Sequence, residues 1–356
     1  MRQRSQSLNL SPVRATGYRW QAGARLVLAL LGVGPGLAGL AQAELLERTY
    51  RRSFPVPSEI VMVDAARGMI EVVAGSPGSE VVFEVNEQVQ REAKPVEKVA
   101  VDGTPPAQQA GFERIFARLE PRFEAGAKKV RLTVADSQAV VFDWDPALRM
   151  VIMIKVTVPP GVSLAVQNVS AGVSVSTAYK GNLQVRSDSG SVYAQRIEGD
   201  FLVRTDSGSI TVAEVTGRAE LRSDSGLVLA GVLAGPSSLR TSNGSIEVQQ
   251  PRGELKIRGD HADIIVGLSA PPPPFTDVRT SAGVITLNID ANLPVTIDAA
   301  TKFLGKVRMR GLAPVVREGG PDRSMLGADF NGGGPLVKLR TFGGVVALVG
   351  RTPLDG

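Results

Sequence analysis

Arginine recurs at a fixed interval through the middle of the chain. Arg186, Arg204, Arg222, Arg240 and Arg258 follow one another every 18 residues, and Arg279 and Arg340 stand in matching strings further on. A guanidinium presents its N–H donors in a planar fork, so a row of them suits carboxylate- or phosphate-bearing ligands. Asp188, Asp206 and Asp224 come two residues after the first three arginines. On an extended strand that spacing puts Arg and Asp on one face, where interleaved carboxylates relieve the repulsion between stacked cations. Further on, the aspartate position is held by Ser242, Asp260, Ser281 and Phe342. Arg240, Arg258, Arg279 and Arg340 are therefore expected to be the less compensated stretch, and the surface where an anionic glycan or lipid headgroup would engage.

Other chemistry has little to stand on. Ser189, Ser207 and Ser225 sit in Asp-Ser-Gly triplets, but a serine nucleophile needs a base and an oxyanion hole. The single histidine, His261, falls in the same column as those serines, not beside them. Calcium bridged by Asp188, Asp206 and Asp224 is disfavoured by the competing arginines and by the absence of a GGxGxD nonapeptide. With no cysteine there is no thiolate metal site and no disulfide. The expectation is no enzyme, no catalytic residue, no metal and no cofactor.

The elements that carry the arginines are repeats. VRSDSGSVYA (185–194), VRTDSGSITV (203–212), LRSDSGLVLA (221–230) and LRTSNGSIEV (239–248) share one register, and VRTSAGVITL (278–287) and LRTFGGVVAL (339–348) continue it. Gly172, Gly190, Gly208, Gly226 and Gly244 are 18 apart, with a second series at Gly181, Gly199, Gly217, Gly235 and Gly253. Period-two alternation turns Val185, Val203, Leu221, Leu239 and Ile257 inward, together with Val192, Ile210, Val228, Ile246 and Ile264. If consecutive repeats lie one rung apart, at roughly 4.8 Å, these columns stack into aliphatic ladders and the glycines become corners that accept positive φ. The predicted fold is all-β: a β-solenoid, a single-chain parallel β-helix of right-handed, flattened cross-section, with about 18 residues per coil and one short helical insertion.

The flanks complete the picture. Residues 1–43 carry five arginines and no acidic residue, then an apolar run Leu26–Leu40 broken by Gly34, Pro35 and Gly36, then Ala41-Gln42-Ala43. That is the pattern of a cleaved secretion signal, and no later stretch is apolar enough to span a bilayer. Without those five, the 40 basic residues become 35, equal to the 35 acidic ones, so the high sequence pI gives no argument for nucleic acid. Residues 44–350 form the repeat domain, opening with a rung around Gly68. An insertion at 86–126 is expected to contain a helix at 107–120, a lid over an open end. Val140, Phe142 and Trp144 alternate towards a core. Pro271–Pro274 is expected as an extruded loop, and 311–335 as a Gly- and Pro-rich one.

The strings SDSGSV, TDSGSI and SDSGLV, with the lead-in VPPGVSLAVQNVSAGV (158–173), resemble the bacterial putative-adhesin family of exported β-strand-repeat proteins (domain of unknown function 4097), related to head-GIN adhesin-like domains. The resemblance covers about residues 55–350. It implies a β-solenoid outside the cytoplasm, in the periplasm or at the cell surface, with no catalytic residues to carry over. The expected role is a rigid scaffold for adhesion or interaction with an envelope glycan or protein partner. A polysaccharide-binding or polysaccharide-cleaving β-helix and a self-assembling filament are the alternatives.

Overall fold

The computed structural model describes residues 22–26, 44–91, 119–134 and 148–351. The described chain is all-β: 28 strands form two 14-stranded sheets, mostly parallel. In the repeats the chain alternates between them. Leu183–Ser187 lies in one sheet, Val192–Glu198 in the other, Phe201–Thr205 in the first again and Ile210–Val215 in the second. Strands one repeat apart pair in parallel, Val185 opposite Val203 and Leu221 opposite Leu239, Val192 opposite Ile210 and Val228 opposite Ile246. The arrangement is consistent with a β-helix-like fold. Valine, isoleucine and leucine supply it because branched side chains pack well on a pleated surface buried on one face. Their columns are buried and form one continuous core between the sheets. Each such side chain contributes about 1.5–3 kcal/mol by leaving water.

Rungs do not follow chain order at either end. The opening rung, Ile60–Ala65 and Met69–Ala74 around Gly68, pairs in parallel with Ser163–Asn168 and Gly172–Lys180, 103 residues later. On its other side it pairs with Lys129–Val134 and Leu148–Val158, so a later piece of chain lies outside an earlier one. The C-terminal end repeats the device. Leu336–Thr341 and Val346–Arg351 slot between the 275–290 rung and strands Val295–Thr301 and Val307–Arg310. The matching strings at 278–287 and 339–348 are thus direct neighbours despite the 61 residues between their registers.

Several expectations change. The insertion begins inside a strand: Val81–Arg91 pairs antiparallel with both Glu44–Phe54 and Leu148–Val158. Among the described residues only Leu119 is helical; the rest of the helix predicted at 107–120, apart from Glu120, falls outside them, as do Val140, Phe142 and Trp144. Within 1–43, Ala22–Leu26 is an edge strand antiparallel to Glu44–Phe54, and the remainder lies outside the described residues. The Gly- and Pro-rich stretch 311–335 is not merely a loop but a hairpin, Val315–Gly319 against Met325–Phe330, joined to Val295–Thr301. The prolines 271–274 do connect two strands, Ile264–Leu268 and Phe275–Ala282, beginning with a cis Ala270–Pro271 bond.

Candidate functional surface

The arginines stack as their spacing requires. Arg186, Arg204, Arg222, Arg240, Arg258, Arg279 and Arg340 occupy paired positions on seven adjacent strands of one sheet. They point outward because each follows an inward aliphatic residue. The column continues beyond Arg186 through Gln167, Asp64 and Thr133.

The charge balance along the column departs from the expectation at Arg186, Arg204, Arg258, Arg279 and Arg340 and agrees with it at Arg222 and Arg240. Asp224 pairs with Arg222 at 3.2 Å, but Asp188 and Asp206 hold no arginine. At the C-terminal end Asp277 accepts from Arg279 Nε at 2.9 Å and lies 3.7 Å from Arg258, while Asp298 takes Arg340 through its carboxylate and its carbonyl. Donating to the Asp277 carboxylate raises the Arg279 pKa. Arg258, Arg279 and Arg340 are therefore compensated. Within this column the arginines without a carboxylate partner are Arg186, Arg204 and Arg240. The expectation followed only the corner aspartates; Asp277 sits two residues before its arginine on the same face, and Asp298 comes from a strand whose register the repeat does not reveal.

The corner glycines also need a correction. Gly190, Gly208, Gly226 and Gly244 do not have positive φ. They are required because a Cβ on each would collide with the carbonyl of the rung beneath: Ala171 under Gly190, Gly190 under Gly208, Gly208 under Gly226 and Gly226 under Gly244. In the second series only Gly181 and Gly199 use positive φ. Gly172 does not belong to the corner column, since a Cβ there would meet nothing closer than 3.9 Å. A bulge between Val175 and Ala178 adds a residue to that rung, so Ala171 takes the corner position and Gly172 opens the next strand.

Sequence reading passed over one inward polar column. Ser187, Thr205, Ser223 and Thr241 are buried and donate nothing to solvent; their hydroxyls accept from the N–H of Gly190, Gly208, Gly226 and Gly244 at 2.8–3.0 Å. Each hydroxyl satisfies a corner donor that the parallel ladder leaves free. The signal was available as the invariable Ser or Thr three residues before each glycine.

Where the regular repeat begins, the same face opens into a cleft of about 420 Å³, lined by Asp64, Arg131, Thr133, Gln167, Asn168, Arg186 and Asp188 among others. Arg131 donates to Asp64 across neighbouring strands. Asn168 replaces the column serine; its Oδ1 accepts from Ser187 Oγ at 2.6 Å, while its Nδ2 has no partner although the residue is only 5% exposed. Asp64 Oδ1 is likewise buried without a partner. Among the described residues no group of three or more acidic or histidine side chains is placed to hold a metal ion.

No family model and no curated protein matches the chain. Solved structures similar to it include a putative adhesin from Bacteroides fragilis, 13% identical, covering 85% of this chain and 97% of its own, with a TM-score of 0.36. A putative adhesin from Parabacteroides merdae is 9% identical over 86% and 96%, TM-score 0.36, and a putative cell adhesion protein from Clostridium sporogenes 8% identical over 86% and 100%, TM-score 0.25. At these values the architecture rests on the strand registers of this chain and not on the likeness.

Proposed function

We propose that the chain is an exported, non-enzymatic protein of the bacterial envelope, a rigid β-solenoid that presents one broad sheet face for adhesion or interaction. The register of the 18-residue repeat carries this reading. It converts single side chains into straight rows on the outer face, a property suited to holding an extended partner at many equivalent points. The N-terminal Arg-rich and apolar segment with its Ala-Gln-Ala site supports export. Polysaccharide binding, the second reading, is favoured by the cleft at one end of the arginine row, where Arg186 and Arg204 are open.

Cell fractionation tests the proposal. Full-length protein with a C-terminal epitope tag should be released by osmotic shock or be accessible to protease on intact cells, shortened by about 4–5 kDa relative to the unprocessed chain. Retention of the full-length chain in the cytosol overturns export. Turnover of uronate polymers by purified protein overturns the non-enzymatic reading.

A further inference from the structure

We propose that the cleft at the head of the arginine column binds a carboxylated sugar unit, a ligand class that deepens the envelope-scaffold reading and rests on it only for its biological setting. The lining is mixed. Arg186 faces the cleft with no carboxylate partner, and Arg131 is tied to Asp64. Asp188, the Thr133 hydroxyl and the Gln167 amide complete the rim. Two of the lining residues carry buried, unsatisfied atoms of opposite kind, the donor Asn168 Nδ2 and the acceptor Asp64 Oδ1.

Each feature narrows the ligand. A buried amide nitrogen without a partner costs free energy unless a ligand or bound water supplies an acceptor, which makes Asn168 more than a structural filler. It stands where the regular rungs carry Ser or Thr, whose hydroxyls are satisfied by the corner glycine. A phosphate group is a poor fit, because Asp64 and Asp188 would repel a dianion. A sugar acid reconciles the two signs: its carboxylate pairs with Arg186, and its hydroxyls donate to the two aspartates and accept from Asn168 and Gln167. The volume lies within the range of small-molecule sites. Among the described residues no aromatic side chain lines the cleft to stack a sugar ring, so affinity depends on the charge-assisted contact at Arg186.

Isothermal titration of the purified full chain tests this, using tetramers of galacturonate, mannuronate and hyaluronan, with maltotetraose and inorganic phosphate as controls. At least one uronate tetramer should bind at one site per chain, and neither control should bind comparably. Arg186→Ser, an exposed change that leaves the core intact, should weaken binding about tenfold or more. The triple variant Arg240→Ser, Arg258→Ser, Arg279→Ser should bind as the parent does. The proposal is overturned if no uronate binds, if phosphate or maltotetraose binds equally well, if Arg186→Ser binds unchanged, or if the triple variant is the one that loses binding. Export is measured independently of this titration, so a cytosolic protein with uronate affinity and an exported one without it are distinct results.

Discussion

At the scale of single residues, the chain separates positions set by the repeat from positions set by a neighbour. The glycines were legible as a series, yet their reason was not: spacing suggested backbone freedom, whereas the constraint is a carbonyl one rung below. Gly259 and Ala262 show the same economy. Where the corner acquires a methyl at Ala262, the Ser/Thr position loses its side chain at Gly259, because a Cβ on Gly259 would meet the Ala262 Cβ at 2.6 Å. Glu87 was not legible, since its register with Arg48 and Ile152 joins strands far apart in sequence. It is fully buried with no hydrogen-bond partner on either oxygen. Burial pushes its pKa from the ordinary 4.5 up to about 8, against the pull of Arg48 and with help from Glu120. The unfolded chain therefore ionises near pH 4.5 while the folded chain keeps its proton. Stability falls between those pH values by about 1.4 kcal/mol per unit and levels off above pH 8. Glu87→Gln should accordingly raise the melting temperature at pH 8 and leave it unchanged at pH 4. An equal shift at both values would show that the carboxyl does not titrate as described.

Among the elements, the alternation of strands between two sheets could be read from the repeat, while the ends could not. Period and alternation report on neighbours one repeat away, but pairings such as Ile60 with Ser163 or Phe275 with Leu336 are long-range choices that leave no local spacing to detect. The ends matter because a bare strand edge recruits other chains. At the C-terminal end of the arginine-bearing sheet the edge is Val315–Gly319, exposed along its length. Two of its five residues are charged, Arg317 and Glu318, and Arg317 reaches Asp329 on the next strand at 3.1 Å. Beside them Val315 and Val316 are exposed. Replacing both charges, Arg317→Val with Glu318→Val, leaves a flat apolar edge and should produce concentration-dependent association in sedimentation velocity at concentrations where the parent shows less. If variant and parent sediment alike at every concentration, the charges do not guard this edge, and the filament alternative gains no support from it.

For the whole molecule, the proposed winding makes a demand that no single contact makes: a rung is removable as a unit, and half a rung is not. In a stack where each repeat touches only its neighbours, stability is close to a sum of equivalent terms. Residues 227–244 span one full period between the corner glycines Gly226 and Gly244, including one strand in each sheet, Val228–Leu233 and Ser237–Thr241. Deleting them joins Gly226 to Ser245, brings Ile246 opposite Ile210, and discards Arg240, so the pair Arg222–Asp224 is kept. The shortened chain should keep its β-type circular dichroism and unfold cooperatively. Its calorimetric enthalpy should be lower by about 13 kcal/mol near 60 °C, the share of 18 residues. Deleting only 227–235 joins Gly226 to Pro236 and feeds a strand of one sheet into the place of the other, inverting every later side chain's partner; that chain should aggregate or lose cooperativity. Equal tolerance of both deletions would mean that the rows of valine and arginine are held by something other than successive turns of the backbone.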